Sequence, residues 1–135
     1  MNGIPSGCAV GFVGTGVMGR SMAGHLIDAG YRVRVHTRTR EKARSLEDRG
    51  AIWCSDLGEL VQGASAVITM VGYPVDVEST YLGARGLIEL ASEGTVLVDM
   101  TTSCPSLAER IAVAGLRRGI PVLDAPVSGG DLGAR

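Results

Sequence analysis

Three glycines near the start of the chain, Gly14, Gly16 and Gly19, stand in the spacing G-x-G-x-x-G within Gly-Phe-Val-Gly-Thr-Gly-Val-Met-Gly at 11–19. The chemistry such a turn offers is the capture of a pyrophosphate. The first glycine permits a tight strand-to-helix turn, and the second lets the pyrophosphate approach the backbone. The third lets the helix pack close to the strand. A phosphate there meets free backbone N–H groups and the positive end of a helix dipole. The pattern by itself is common. Its weight comes from its place, after the apolar run Cys8–Val13 and before a segment with helical spacing.

A second stretch bears on which dinucleotide is held. About 20 residues past the glycines, an acid would accept the ribose 2′-OH of NAD. Here Thr37, Arg38, Thr39 and Arg40 stand instead, with no acid before Glu41. The planar fork of an arginine suits phosphate oxygens. Arg38 is therefore expected on the 2′-phosphate of NADP, with no carboxylate competing for it and NAD as the weaker alternative. Arg40 and Lys42 read as a solvated basic turn.

The remaining reactive side chains form no catalytic set. Lys42 is the only lysine, and His25 and His36 read as structural or surface residues. Cys8, Cys54 and Cys104 are odd in number and lack metal-ligand spacing, as expected of reduced thiols in a cytoplasmic protein. No metal site is expected.

The elements that must position these residues alternate regularly. Residues 8–13 read as a first strand, apolar throughout, as in a parallel sheet covered on both faces. The helix after the glycines shows Met18, Met22, Leu26 and Ala29 on one face and stops at Gly30. Residues 31–36 alternate as a second strand, and Thr39 is placed to cap a helix running to about Asp48. Residues 51–54 are a brief third strand, and Asp56 caps a short helix ending near Gly63. Residues 66–71 form a fourth strand, and a helix follows from about Asp76 to Leu82. After a helical turn at 87–90, residues 95–98 are a fifth strand. Pro105 opens a helix with Leu107, Ile111, Ala114 and Leu116 on its face, and residues 121–123 are a sixth strand.

Six strands alternating with helices predict one domain of Rossmann type. This is an open, doubly wound, mostly parallel α/β sheet in the order 3-2-1-4-5-6. Ligands in such sheets sit outside the carboxyl ends of the strands, where 14–19, 36–40, 71–76, 99–103 and 124–130 all fall. A net charge of −1 gives no reason to expect nucleic acid or an anionic membrane as partner, and no apolar run approaches a membrane span.

Taken together, several motifs resemble the β-hydroxyacid dehydrogenases, the group of 3-hydroxyisobutyrate dehydrogenase and, more distantly, 6-phosphogluconate dehydrogenase. They are the glycine turn, His-Thr-Arg-Thr-Arg-Glu-Lys-Ala at 36–43, Val-Ile-Thr-Met-Val-Gly at 67–72, Val-Asp-Met-Thr-Thr-Ser-Cys-Pro at 98–105 and Asp-Ala-Pro-Val-Ser-Gly-Gly at 124–130. The resemblance implies cofactor contacts from Gly14, Thr15, Gly16, Val17, Met18 and Gly19, and from Thr37, Arg38 and Thr39. It implies further contacts from Met70, Val71, Gly72, Asp76 and Thr102. Ser128, Gly129 and Gly130 match the loop that receives the carboxylate and hydroxyl of a short β-hydroxy acid.

The sequence departs from the family at Thr15 (usually Leu), Thr37 (often Asn) and Val71-Gly72 (Leu-Pro). The family's catalytic lysine and its second, helical domain, which completes the pocket and forms the homo-oligomer, have no counterpart in these 135 residues. The chain is accordingly expected to be a truncated, inactive portion of such an enzyme. A stand-alone dinucleotide-binding or regulatory module is the alternative.

Overall fold

The computed structural model describes residues 4–135. Six strands, counted in chain order, form a single sheet in the order 3-2-1-4-5-6, and every neighbouring pair is parallel. Strand β1 (Ala9–Val13) lies at the centre, buried at every position. Phe12 enters the apolar cluster on one face of the sheet and Val13 the cluster on the other. That two-sided burial is why the strand reads as an unbroken apolar run. Strand β2 (Arg32–His36) alternates instead. Its Val33 and Val35 are buried, and Arg32 and Arg34 are not.

Helix α1 (Val17–Asp28) packs on the β1–β2 side with α2 (Arg44–Glu47). The opposite face is covered by α3 (Leu57–Val61), α4 (Pro74–Leu82), α5 (Leu87–Leu90) and α6 (Pro105–Leu116). Short strands β3 (Ile52–Trp53) and β6 (Val122–Asp124) close the two edges around β4 (Ala64–Thr69) and β5 (Val96–Asp99). Asp56 caps α3 as expected, its Oδ1 accepting from the Glu59 N–H at 2.8 Å. Among the described residues no helix is long and apolar enough to cross a membrane.

Several boundaries differ from the sequence expectation. The helix expected from Thr39 to Asp48 is a 3-10 turn (Arg40–Ala43) followed by the single turn of α2, and the Thr39 side chain makes no capping bond. Helix α4 begins at Pro74 rather than near Asp76, because a proline at the first helical position lacks only an N–H that has no intrahelical partner. Strand β4 ends at Thr69, two residues early, which releases Met70 and Val71 to the rim. On α1 the buried residues are Gly19, Ala23 and Gly24, and Ala29 is exposed. On α6 it is Gly115, not Leu116, that faces the sheet, and Leu116 is 80% exposed.

A last helix, α7 (Gly130–Ala134), follows the stretch 128–130 expected as a loop and takes in its last residue. Its Ala134 carbonyl accepts from His25 Nε2 on α1 at 2.8 Å. Residues 125–129 therefore return from the β6 edge of the sheet to α1.

Candidate functional site

The site is built from the carboxyl ends of β1, β2 and β4, the three strands around which the sheet order reverses. Gly14 turns the chain out of β1 with φ +95°, and its N–H donates to the His36 carbonyl at the end of β2, 3.0 Å away. On the other side the Met70 N–H donates to the Val13 carbonyl at 2.9 Å. The turn is thus tied to both neighbouring strands.

A methyl group on Gly14 would overlap the Met70 carbonyl, and one on Gly19 the Gly14 carbonyl. By contrast, a methyl on Gly16 would meet nothing within 4 Å. The first and third glycines are needed by the fold, while the second faces open space beside the amino end of α1. The N–H groups of that first helical turn have no intrahelical acceptor. Thr15 adds a buried hydroxyl without a protein partner. These are the features a pyrophosphate requires, so the turn fits a dinucleotide.

The open space continues as a cleft of about 600 Å³. Along it lie Gly14, Thr15, Gly16, Val17, Met18 and Gly19, then Thr37, Arg38 and Thr39 after the end of β2, Met70, Val71 and Gly72 after the end of β4, and Asp76 from the first turn of α4. Thr102 does not line it, nor do Ser128, Gly129 and Gly130. The neighbouring Thr101 is the residue coupled to the rim, its buried Oγ1 accepting from the Val71 N–H at 3.0 Å. Ser128 and Gly129 precede α7, where Gly129 takes the left-handed conformation at φ +106°.

Lys42, Leu57 and Thr80 also face the cleft, outside the stretches expected on the rim, while His36 and Tyr73 line it within the expected stretches 36–40 and 71–76. His36 Nδ1 donates to the Cys54 carbonyl at 2.9 Å, which ties the ring to the residue that follows β3. Lys42 follows Thr39 by one turn, and that spacing was the available signal. Arg40 points elsewhere, pairing with Glu47 at 2.8 Å and lying 4.9 Å from the Trp53 ring centroid. The Arg40 hydrogen bond holds the Glu47 carboxyl below the usual range.

One expectation is overturned. Arg38 does have a carboxylate competing for it: its Nη2 donates to Asp76 Oδ1 at 2.7 Å across the cleft. The acid comes from the first turn of α4, so no count of residues past the glycines could find it.

Beneath the rim lies a buried polar chain. Asp99 Oδ1 accepts from the Thr69 hydroxyl at 2.8 Å and from the Thr101 N–H at 3.0 Å. With its one proton committed, the Thr69 oxygen accepts from Tyr81, 2.9 Å away. Burial pushes the Tyr81 hydroxyl far above the ordinary phenol range.

The chain has relatives of known family. Residues 9–135 match the family described as the NAD binding domain of 6-phosphogluconate dehydrogenase. Over 126 residues, 93% of this chain and 44% of the relative, it is 55% identical to "Uncharacterized oxidoreductase YkwC" of Bacillus subtilis (strain 168). Over 132 residues, 97% of this chain and 40% of the relative, it is 51% identical to "Probable 3-hydroxyisobutyrate dehydrogenase-like 1, mitochondrial" of Arabidopsis thaliana. The chain thus spans well under half the length of these curated relatives. Among solved structures, "Psf3 in complex with NADP+ and 2-OPP" superposes with a TM-score of 0.85 at 34% identity, over 90% of this chain and 43% of that one.

Proposed function

The chain belongs to the β-hydroxyacid dehydrogenase family as an NAD-binding domain, and from this premise we propose that it binds NADP(H) for a 3-hydroxyisobutyrate dehydrogenase-like oxidoreductase acting on a short β-hydroxy acid. The observation that carries the reading is the single cleft running from the glycine turn to Arg38, Thr39 and Lys42. In this reading the N–H groups at the start of α1 hold the pyrophosphate. Thr37, Arg38 and Thr39 hold the adenosine ribose and its 2′-phosphate, and Met70, Val71 and Gly72 form the opposite wall. A bound nicotinamide supplies hydride transfer. Ser128 and the backbone of Gly129 and Gly130 are assigned to the substrate carboxylate and hydroxyl, and Thr102 to the nicotinamide end. The plant relative's name places that protein in mitochondria. With three free cysteines, the compartment we propose is a reducing one, the cytoplasm or a mitochondrial matrix. The complete enzyme is proposed to be a homo-oligomer.

Cofactor preference tests the reading without catalysis. A hydrogen bond to a charged group contributes roughly 1.5–3 kcal/mol, which is about ten- to a hundredfold in affinity. The Arg38 side chain is 84% exposed, so the lower end applies. Arg38→Ala is expected to weaken NADP binding by about tenfold and leave NAD nearly unchanged. Arg40→Ala is expected to change little, because that guanidinium is held by Glu47. Calorimetric titration decides, and equal losses for both cofactors in Arg38→Ala would sink the assignment.

We further propose that these 135 residues, as a separate polypeptide, turn over no hydroxy acid. Their only lysine, Lys42, lies at the adenosine end of the cleft, away from where a hydroxyl proton would be taken up. Incubation with NADP and 3-hydroxyisobutyrate or glycerate should give no absorbance of reduced cofactor above a protein-free blank. A steady rise that tracks substrate loss would refute it.

A further inference from the structure

We propose that Asp76 sets how strongly the cleft prefers a 2′-phosphorylated dinucleotide, by holding the guanidinium charge of Arg38 that the phosphate must take over. The proposal rests on the dinucleotide reading above. Asp76 is the one acid among the described residues that line the cleft. Both its oxygens are engaged: Oδ1 accepts from Arg38 Nη2 at 2.7 Å, and Oδ2 accepts from the Tyr73 N–H at 3.1 Å. The second bond belongs to the capping box that starts α4, so the carboxylate is anchored to a helix. The two side chains are 20% exposed for Asp76 and 84% for Arg38. Asp76 is the anchored partner and Arg38 the arm that reaches to it through solvent.

An incoming 2′-phosphate therefore meets an arginine whose charge is already matched. To bond it, the phosphate must draw the arm from a carboxylate of its own sign. A ribose with a free 2′-OH faces no such exchange. Asp76 thus lowers the affinity for NADP and leaves that for NAD in place, so the preference is smaller than Arg38 alone would give.

The test is calorimetric titration of NADP and NAD into wild type, Asp76→Asn and Arg38→Ala/Asp76→Asn. Asparagine keeps an oxygen for the Tyr73 N–H and removes the charge. NADP affinity is expected to rise about two- to fivefold in Asp76→Asn, the range of an exposed ion pair. NAD affinity is expected not to rise, and the NADP gain should shrink at high salt. In the double variant the gain should disappear. If Asp76→Asn melts well below wild type, Asp76→Gln, with a residue type suited to that capping-box position, replaces it.

An unchanged or weaker NADP affinity in the folded variant overturns the proposal, and so does a full gain that persists without Arg38. Wild type that binds neither dinucleotide overturns the underlying reading as well. Wild type that binds both, with a flat response to Asp76→Asn, removes only the role of Asp76.

Discussion

Gly14→Ala is expected to destabilise the protein by about 3–5 kcal/mol and to abolish dinucleotide binding together with it. Two independent penalties combine at this position. The backbone sits at φ +95°, which a residue with a side chain adopts only under strain. The added methyl would also overlap the Met70 carbonyl. Neither can relax alone, because the Gly14 N–H is bonded to the His36 carbonyl on one side and Met70 to Val13 on the other. Relief means separating β4 from the turn, and the cleft lies at that junction. Gly16→Ala is the matched comparison. Its methyl meets nothing within 4 Å, so it should leave the unfolding midpoint nearly in place and weaken only the cofactor. Urea unfolding of both variants checks the pair. A Gly14→Ala protein within 1 kcal/mol of wild type, roughly a fivefold change in the unfolding constant, would show that the turn is not constrained as described.

Asp99→Ala should lower stability by about 2–5 kcal/mol, because it strands two buried donors at once and each such loss is worth about 1–3 kcal/mol. Asp99 is only 6% exposed, and its Oδ1 alone serves both the Thr69 hydroxyl and the Thr101 N–H. Asp99→Asn keeps an acceptor oxygen and should lose far less. Tyr81→Phe removes one donor and strands none, so it should also be mild. The sequence Ala, then Asn and Phe well behind, is the expected order of urea midpoints. Equal losses in all three would mean that the network acts by packing and not by hydrogen bonding. The same variant bears on the cleft, since Thr101 holds the Val71 N–H at 3.0 Å.

What the sequence disclosed followed local rules. The continuous apolar run of β1, the alternation of β2 and the cap at Asp56 each depend on neighbours within a few residues. So do the three glycines, whose spacing gains its meaning from the apolar run before them and the helical segment after them. Strand order followed from alternating βα units under one handedness rule. The features that escaped depend on long-range pairing. Asp76 meets Arg38 only after β4 is laid beside β1, and Thr101 rather than Thr102 ties to Val71 because of how β5 registers on β4. Helix α7 is a five-residue segment containing two glycines. Weak intrinsic propensity gave no signal for it, and its contact with α1 has no local counterpart. The break in the second helix arises where Arg40 turns back to Glu47.

The reversal of strand order has a consequence for how the protein assembles. Strand β1 ends at Val13 and β4 begins at Ala64, with β2 and β3 laid down on the other side in between. The first βαβ unit carries the glycine turn and leads directly into Arg38. The Met70–Gly72 wall arrives only when the chain closes the long loop that brings β4 to β1, a slow step in which entropy is lost before contacts compensate for it. The cleft has its second wall only where β4 lies beside β1. A ligand that touches both sides recognises the closed sheet alone. At a hundred times its dissociation constant, such a ligand would shift the folding equilibrium by about 2.7 kcal/mol. In this topology, filling the cleft and completing the fold draw on one and the same equilibrium.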